Sequence, residues 1–153
     1  GIISQTGADP ALLLLELSTQ ALSPSYADTV PTLTRLRTMG VRLSLDDFGG
    51  GSNMQEALQQ LPLNQLKLSH SLVQRLGPNN AAEAAVQAAI ALATRHRMTI
   101  VGAGVETLEQ RALLAQYGCE HFMGYLLSPP APVGQLRSLL QRQAISSLQE
   151  AAA

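Results

Sequence analysis

The chain has 153 residues and a mass of 16.2 kDa, which suits one domain of ordinary size. Hydrophobic residues make up 46% and charged residues 14% of it, a composition typical of a folded protein. The formal net charge of −1 and the aromatic content of 3% exclude a nucleic-acid partner bound through a basic surface or stacked aromatic rings.

Short apolar runs alternate with longer amphipathic stretches along the whole chain. The runs predict strands over residues 12–17, 41–46, 65–68, 99–103 and 121–125. The stretches predict helices over residues 26–39, 54–61, 81–97, 108–117 and 132–143. Because strands that alternate with helices form parallel sheets, we predict an α/β domain over residues 1–143 and a frayed tail over residues 144–153.

Several single residues support this organisation. Ser25 and Asn80 are placed to cap the helices that follow them, and Gly40 and Gly118 are placed to end helices. The single cysteine, Cys119, is interpreted as a core residue and fits a reducing compartment. No apolar run approaches the roughly 20 residues that span a bilayer. We therefore expect a cytoplasmic protein, or the cytoplasmic domain of a larger membrane protein.

Methionine and histidine residues are interpreted as structural. Apart from Met123, the methionines are expected to fill the core, and His70 and His96 are expected to lie on the surface without a paired ligand.

Polar residues gather where the predicted strands end. They are Glu16, Asp46, Asp47, Lys67, Glu106 and the pair Met123–Gly124. Parallel strands bring their carboxyl ends to one side of the sheet, which is where ligands bind in such folds. The clustering indicates a binding site, although each residue also has a structural interpretation.

Asp46 and Asp47 are adjacent carboxylates at the end of an apolar strand, and a glycine-rich turn follows them. Such a pair repels unless a cation or hydrogen-bond donors neutralise it, and oxygen ligands of this kind suit Mg²⁺, Mn²⁺ or Ca²⁺. Alternatively, Asp47 caps a turn, and Asp46 is a polar residue at the strand end whose hydrogen bonds are satisfied within the protein. Lys67 can hold a phosphate or a water, or it can be a surface lysine or form a structural ion pair.

Five segments together resemble a known family, the EAL domains, which are cyclic di-GMP phosphodiesterases of bacterial signalling. The segments are Leu15-Glu16-Leu17-Ser18, Asp46-Asp47-Phe48-Gly49, Leu66-Lys67-Leu68, Gly104-Val105-Glu106-Thr107 and Gly124-Tyr125-Leu126-Leu127-Ser128-Pro129-Pro130. The resemblance extends from Gly7 to about Leu140. It implies a TIM-like (β/α)8 barrel with one antiparallel strand, of which residues 1–143 would be the C-terminal portion, about five βα units with barrel strands 4 to 8. The family's Glu-Ala-Leu motif and a metal-binding Asn would then lie upstream.

The resemblance also implies roles for individual residues. Active members hydrolyse cyclic di-GMP with two Mg²⁺ or Mn²⁺ ions. Glu16, Asp46 and Asp47 look like metal ligands, Lys67 like the lysine that steadies the water or phosphate, and Glu106 like the second Glu of the family's Glu-Gly-Val-Glu segment. The residues expected to contact the ligand are Asp46, Asp47, Gly49, Lys67, Met123, Gly124 and Pro129.

The sequence departs from the family pattern at several of its functional positions. Ala103 stands where the family has the first Glu of Glu-Gly-Val-Glu, which is the general base or a carboxylate of the metal site. The methyl group of alanine can neither accept a proton nor bind a metal ion. Met123 replaces a Gln of the substrate site. Further departures are Thr19, Gly50, Ser52 and Ser69, where the family has Glu, Thr, an aromatic residue and Asp, respectively.

Three functions follow as alternatives. The first is a degenerate EAL domain that acts as a cyclic di-GMP receptor or signalling module without hydrolysis, with weak Mg²⁺ or Mn²⁺ binding and no required metal. The second is an active metal-dependent phosphodiesterase with an altered base. The third is a protein-interaction remnant that binds no nucleotide. We favour the first, with cyclic di-GMP bound in the full domain and a protein partner.

Five strands of an eight-stranded barrel cannot close by themselves. We expect two unpaired sheet edges and an uncovered interior face, on which side chains such as Leu43 and Leu45 would lose burial. The chain is therefore expected to form a homo-oligomer or to associate with the missing N-terminal part of its barrel.

Overall fold

The predicted α/β architecture is confirmed by a computed structural model, which describes residues 2–19, 26–49, 58–77, 81–138 and 140–141. Five parallel strands form one sheet in the order β1-β2-β3-β4-β5. Each strand therefore pairs with the next one along the chain, which is the order that successive βα units produce.

The strands are β1 (Leu14–Ser18), β2 (Arg42–Phe48), β3 (Gln65–Leu68), β4 (Thr99–Ala103) and β5 (His121–Met123). The helices are α1 (Ile2–Thr6), α2 (Tyr26–Thr38), α3 (His70–Gln74), α4 (Ala81–Arg95) and α5 (Leu108–Gln116). A 3-10 turn at Pro10–Leu12 precedes β1, and residues 58–60, 133–138 and 140–141 are also helical.

The first two strands differ from their predicted bounds by two residues. β1 begins at Leu14, not at residue 12, because the Asp9 carboxylate accepts a hydrogen bond from the Ala11 N–H (2.9 Å) and holds the preceding residues in the 3-10 turn. β2 continues past its predicted end at residue 46 to Phe48. The longer β2 carries both aspartates of the predicted site within the strand.

Backbone turns end the last strand and the longest helix early. β5 stops at Met123 because Gly124 adopts φ +155° and accepts hydrogen bonds from the next turn. α4 stops at Arg95, two residues before its predicted end, and Arg97 then adopts φ +56°. Periodicity identified both elements, but the turn geometry set their ends.

The predicted helix-ending glycines are confirmed. Gly40 and Gly118 each adopt φ +95° two residues after the last residue of α2 and of α5, a conformation that glycine accepts without steric cost. The caps predicted at Ser25 and Asn80 lie outside the described residues. Within the described part, no helix is long and apolar enough to cross a membrane.

The hydrophobic core lies between the sheet and the helices. Leu43 and Leu45 are fully buried there with Leu66. The expectation that Leu43 and Leu45 face an uncovered interior is wrong, because side chains alternate along β2 and place Ser44 and Asp46 on the other face. That other face also carries Glu16, Lys67, Ala103 and Met123, and Ser44 is fully buried there as well.

Two of the three predicted core residues in the described part of the chain are confirmed. Cys119 is buried, and burial raises the pKa of its thiol although the backbone at His121 accepts its hydrogen bond. Met98 is also buried. Met39 is 44% exposed, so its assignment to the core is wrong: it follows the last residue of α2 in a surface turn. Met54 lies outside the described residues.

Candidate functional site

The carboxyl ends of the parallel strands meet at one side of the sheet, as predicted. A groove of about 460 Å³ lies there. We call it the main groove, and it is lined by Ser18, Asp46, Asp47, Lys67, Leu68, Ser69, His70, Ala103 and Met123. Charged and polar groups thus share one concave surface with the Ala103 methyl and the Met123 thioether.

Lys67 is the buried cation of this groove, with 7% of its surface exposed. Its Nζ donates to Glu16 Oε2 at 2.9 Å and lies 3.0 Å from Asp46 Oδ1. Burial acts to lower the lysine pKa, but hydrogen bonds to Glu16 and Asp46 and their charges together raise it above 10.5. The ammonium is therefore ionised at neutral pH. Because the pKa is raised in the folded state, this contribution to stability is present at neutral pH and is lost as the pH rises through the pKa of Lys67.

The two aspartates have different surroundings because β2 bulges between them. Leu45 pairs with Leu66 and Phe48 pairs with Leu68, so β2 contains one extra residue in this interval. Asp47 adopts φ +60°, a left-handed conformation that aspartate tolerates better than most residues. The bulge leaves Asp46 beside Lys67 and Asp47 exposed at the groove wall.

His70 is the residue that the sequence interpretation missed. It is on the surface, as predicted, but its Nε2 lies 3.4 Å from Glu106 Oε1, and its ring packs against the space beside Gly104. His70 also lines both the main groove and a second groove of about 440 Å³ with Gly104, Glu106, Gly124 and Tyr125. The sequence did hold a signal for this role. His70 follows the predicted end of β3 by two residues, and residues that follow the carboxyl ends of parallel strands lie on the side of the sheet where ligands bind.

The turn after β4 is held by glutamine side chains. Gln110 Oε1 accepts hydrogen bonds from the Glu106 and Thr107 N–H groups at 2.8 and 3.1 Å. Its Nε2 donates to Gln74 Oε1 at 3.4 Å, and Gln74 Nε2 donates to the Gly104 carbonyl at 2.9 Å. These contacts fix the direction in which Glu106 leaves the backbone.

The remaining predicted residues occupy other places. Glu106 and Gly124 line the second groove, not the main one. Gly49 lines a different groove with Arg75 and part of α4, and Pro129 is exposed beyond β5. Ser69 caps α3 by accepting a hydrogen bond from the Leu72 N–H at 3.2 Å, so it has a structural role at its position. Gly50 and Ser52 lie outside the described residues.

Three carboxylates at or near the strand ends are candidate ligands for a metal ion. Glu16, Asp46 and Asp47 supply oxygen atoms of the kind that Mg²⁺ and Mn²⁺ prefer. Among the described residues, however, no three His, Cys, Asp or Glu side chains are arranged to hold an ion. The Lys67 ammonium lies between two of the three carboxylates.

Comparison with known proteins shows that the sequence matches the EAL domain family. The model of the EAL domain matches residues 1–130. A cyclic di-GMP phosphodiesterase of Pseudomonas aeruginosa, NbdA, is 37% identical over 139 residues, which cover 91% of this chain and 18% of that protein. The chain thus spans less than a fifth of this curated relative.

Solved structures give the same result. The phosphodiesterase PaMucR in complex with c-di-GMP matches with a TM-score of 0.81 and 32% identity, over 88% of this chain and 54% of that one. The manganese and cy-diGMP complex of Klebsiella pneumoniae BlrP1 matches with a TM-score of 0.76 and 27% identity, over 84% of this chain and 33% of that one.

Proposed function

Because the chain belongs to the EAL domain family, we propose that it forms part of the ligand site of a cyclic di-GMP receptor that does not hydrolyse its ligand. The observation that carries the proposal is Ala103. Its methyl group lines the main groove beside Lys67, at the position where the family resemblance places a carboxylate base or metal ligand. A methyl group neither accepts a proton nor binds a metal ion.

The retained residues suit binding. Of the three N–H donors of the Lys67 ammonium, two are directed at Glu16 and Asp46, so the third can be donated to a phosphate oxygen of the ligand. Asp47 can accept hydrogen bonds from the ligand, and Met123 adds an adaptable apolar surface. Contacts at Gly49, Gly124 and Pro129 remain predictions.

The test is calorimetric titration of the intact protein with cyclic di-GMP, with and without Mg²⁺. We expect binding that does not depend on the metal. Lys67→Gln should weaken it by about tenfold or more, since a charge-assisted hydrogen bond to phosphate is lost. Arg111→Gln, which removes an exposed cation from α5, is the matched control and should leave the affinity unchanged. Failure to bind the nucleotide at all would refute the receptor and favour a protein-interaction remnant.

We further expect no meaningful phosphodiesterase activity. The measurement is release of the linear dinucleotide over hours at saturating Mg²⁺ or Mn²⁺. Ala103→Glu should stay inactive by itself, because Met123 and Ser69 also differ from the family pattern and a single carboxylate does not rebuild a site.

An active enzyme with an altered base is the second candidate, favoured by the retention of Glu16, Asp46, Asp47 and Lys67 at the strand ends. Turnover at an ordinary enzymatic rate would establish it and overturn the receptor. A cytoplasmic location and a protein partner belong to the receptor proposal, in keeping with a signalling role.

A further inference from the structure

Arginines gather at the end of the molecule opposite the main groove. A helix that joins two parallel strands returns to the amino end of the second strand, so the last turns of α2 and α4 lie there with the first residues of β2 and β4. We call this surface the basic end. Its exposed arginines are half of the ten Lys and Arg residues of the chain: Arg35, Arg37, Arg42, Arg95 and Arg97.

The protein itself does not neutralise these arginines. Among the described residues, none of them forms an ion pair. The described carboxylates at this end are Asp9 and Glu120, and the Asp9 carboxylate already accepts the Ala11 N–H at 2.9 Å. The acidic first turns of the helices lie at the groove end instead, with Asp28, Glu83 and Glu109. Although the whole chain has a net charge of −1, positive charge is therefore concentrated at one end of it.

Helix stabilisation accounts for only part of the basic end. Arg35, Arg37 and Arg95 lie in last helical turns, where a positive charge also interacts favourably with the helix macrodipole. Arg42 is instead the first residue of β2, and Arg97 lies in the turn before β4 at φ +56°. Neither of these two positions is helical, so the surface extends beyond what the helix ends require.

Two exposed apolar side chains accompany the arginines. Met39, in the turn after α2, is 44% exposed, and Leu12 of the 3-10 turn is 78% exposed. The two turns are neighbours, because a Cβ at Gly40 would be 3.4 Å from Pro10 Cγ. Guanidinium groups beside projecting apolar side chains suit the boundary between the headgroups and the acyl chains of a lipid layer.

We propose that the basic end docks on an anionic membrane surface and leaves the main groove facing solution. None of its arginines lines the main groove, the second groove or the groove beside Gly49, which favours a broad partner over a small anion. An anionic bilayer matches a broad basic surface, and each Lys or Arg held near it strengthens attachment by roughly fivefold. Leu12 and Met39 enter the headgroup region and add apolar contact.

Vesicle flotation tests the proposal with the full chain and without nucleotide, so its outcome is independent of the receptor function. Floating vesicles carry bound protein away from self-associated protein, which stays at the bottom of the gradient. We expect the chain to float with phosphatidylcholine vesicles that contain one quarter phosphatidylglycerol, and to stay behind with pure phosphatidylcholine. Raising NaCl from about 0.05 M to about 0.5 M should release most of it, because salt screens exposed charges.

Charge-matched variants locate the contact. Arg37→Gln combined with Arg97→Gln should weaken binding to the anionic vesicles by about tenfold or more. Arg111→Gln combined with Arg137→Gln removes the same charge from α5 and the last helical segment, and should change the binding by less than about threefold. Circular dichroism verifies that each variant folds.

The proposal is wrong if the chain floats with neither type of vesicle or equally with both, if salt does not weaken the binding, or if the two double variants lose affinity equally. Retention of the chain on polyglutamate without flotation would assign the basic end to an acidic protein segment and would also overturn the proposal. The lipid and salt comparisons use the parent chain, so they hold even where a variant does not fold.

Discussion

Gly124 shows how a single residue of the family motif can be fixed by backbone geometry. It adopts φ +155°, and a Cβ atom there would overlap the backbone of Val105. That backbone is itself held, because the Val105 N–H donates to the Met123 carbonyl at 3.0 Å and the Val105 carbonyl accepts from the Leu126 N–H at 3.1 Å. No flexible side chain is available to move aside.

We therefore predict that Gly124→Ala lowers the free energy of unfolding by about 2–3 kcal/mol. Gly134→Ala is the matched control, because a Cβ at Gly134 meets nothing within 4 Å and the residue is helical. That change should be neutral or stabilise by about 0.5–1 kcal/mol. Urea unfolding followed by circular dichroism compares the two. Equal effects would mean that the Val105 contact does not constrain the chain.

At the scale of elements, α5 and the turn before it form one hydrogen-bonded unit. Thr107 Oγ1 accepts from the Gln110 N–H at 3.2 Å, while the Gln110 side chain returns to the N–H groups of Thr107 and Glu106. This capping box satisfies helix donors that would otherwise lack partners. Because Gln110 is 8% exposed, water cannot readily replace its contacts.

Gln110→Leu should lower the free energy of unfolding by about 1–3 kcal/mol, since the Glu106 and Thr107 N–H groups lose their acceptor. Gln116→Ala, at the exposed end of the same helix, is the control and should change stability by less than about 0.5 kcal/mol. Chemical denaturation measures both. If Gln110→Leu lowers the free energy of unfolding no more than Gln116→Ala does, the capping box does not have a structural role.

The sequence was sufficient to predict the helices, the strands and the residues at the strand ends. It was not sufficient to predict side-chain contacts between residues far apart in the chain. Short apolar runs identified the strands, and strand ends identified Asp46 and Lys67, because parallel strands necessarily bring these ends together. The contact of His70 with Glu106 was not predictable, since it joins residues 36 positions apart. Neither was the β2 bulge, which depends on its register with β3.

At the scale of the whole molecule, the described sheet has β1 and β5 as its outer strands. Exposed apolar side chains accompany both edges: Leu15 of β1 is 43% exposed, and Tyr125 and Leu127 after β5 are 68% and 42% exposed. Unpaired strand edges offer N–H and C=O groups to any further strand, and exposed apolar side chains add a hydrophobic contribution. The match to the solved PaMucR structure covers 54% of the chain in that structure.

We therefore predict that the 153-residue chain by itself is not a monodisperse monomer of 16.2 kDa. It should pair through its edges with a second copy, or bind the remaining part of its barrel when that part is supplied. Size-exclusion chromatography with light scattering measures the mass. Leu15→Lys places a charge at the β1 edge and should reduce self-association, whereas Met39→Lys, on an exposed turn after α2, should not. A single cooperatively melting species of monomer mass in the parent chain would show that the described sheet tolerates both edges without a partner.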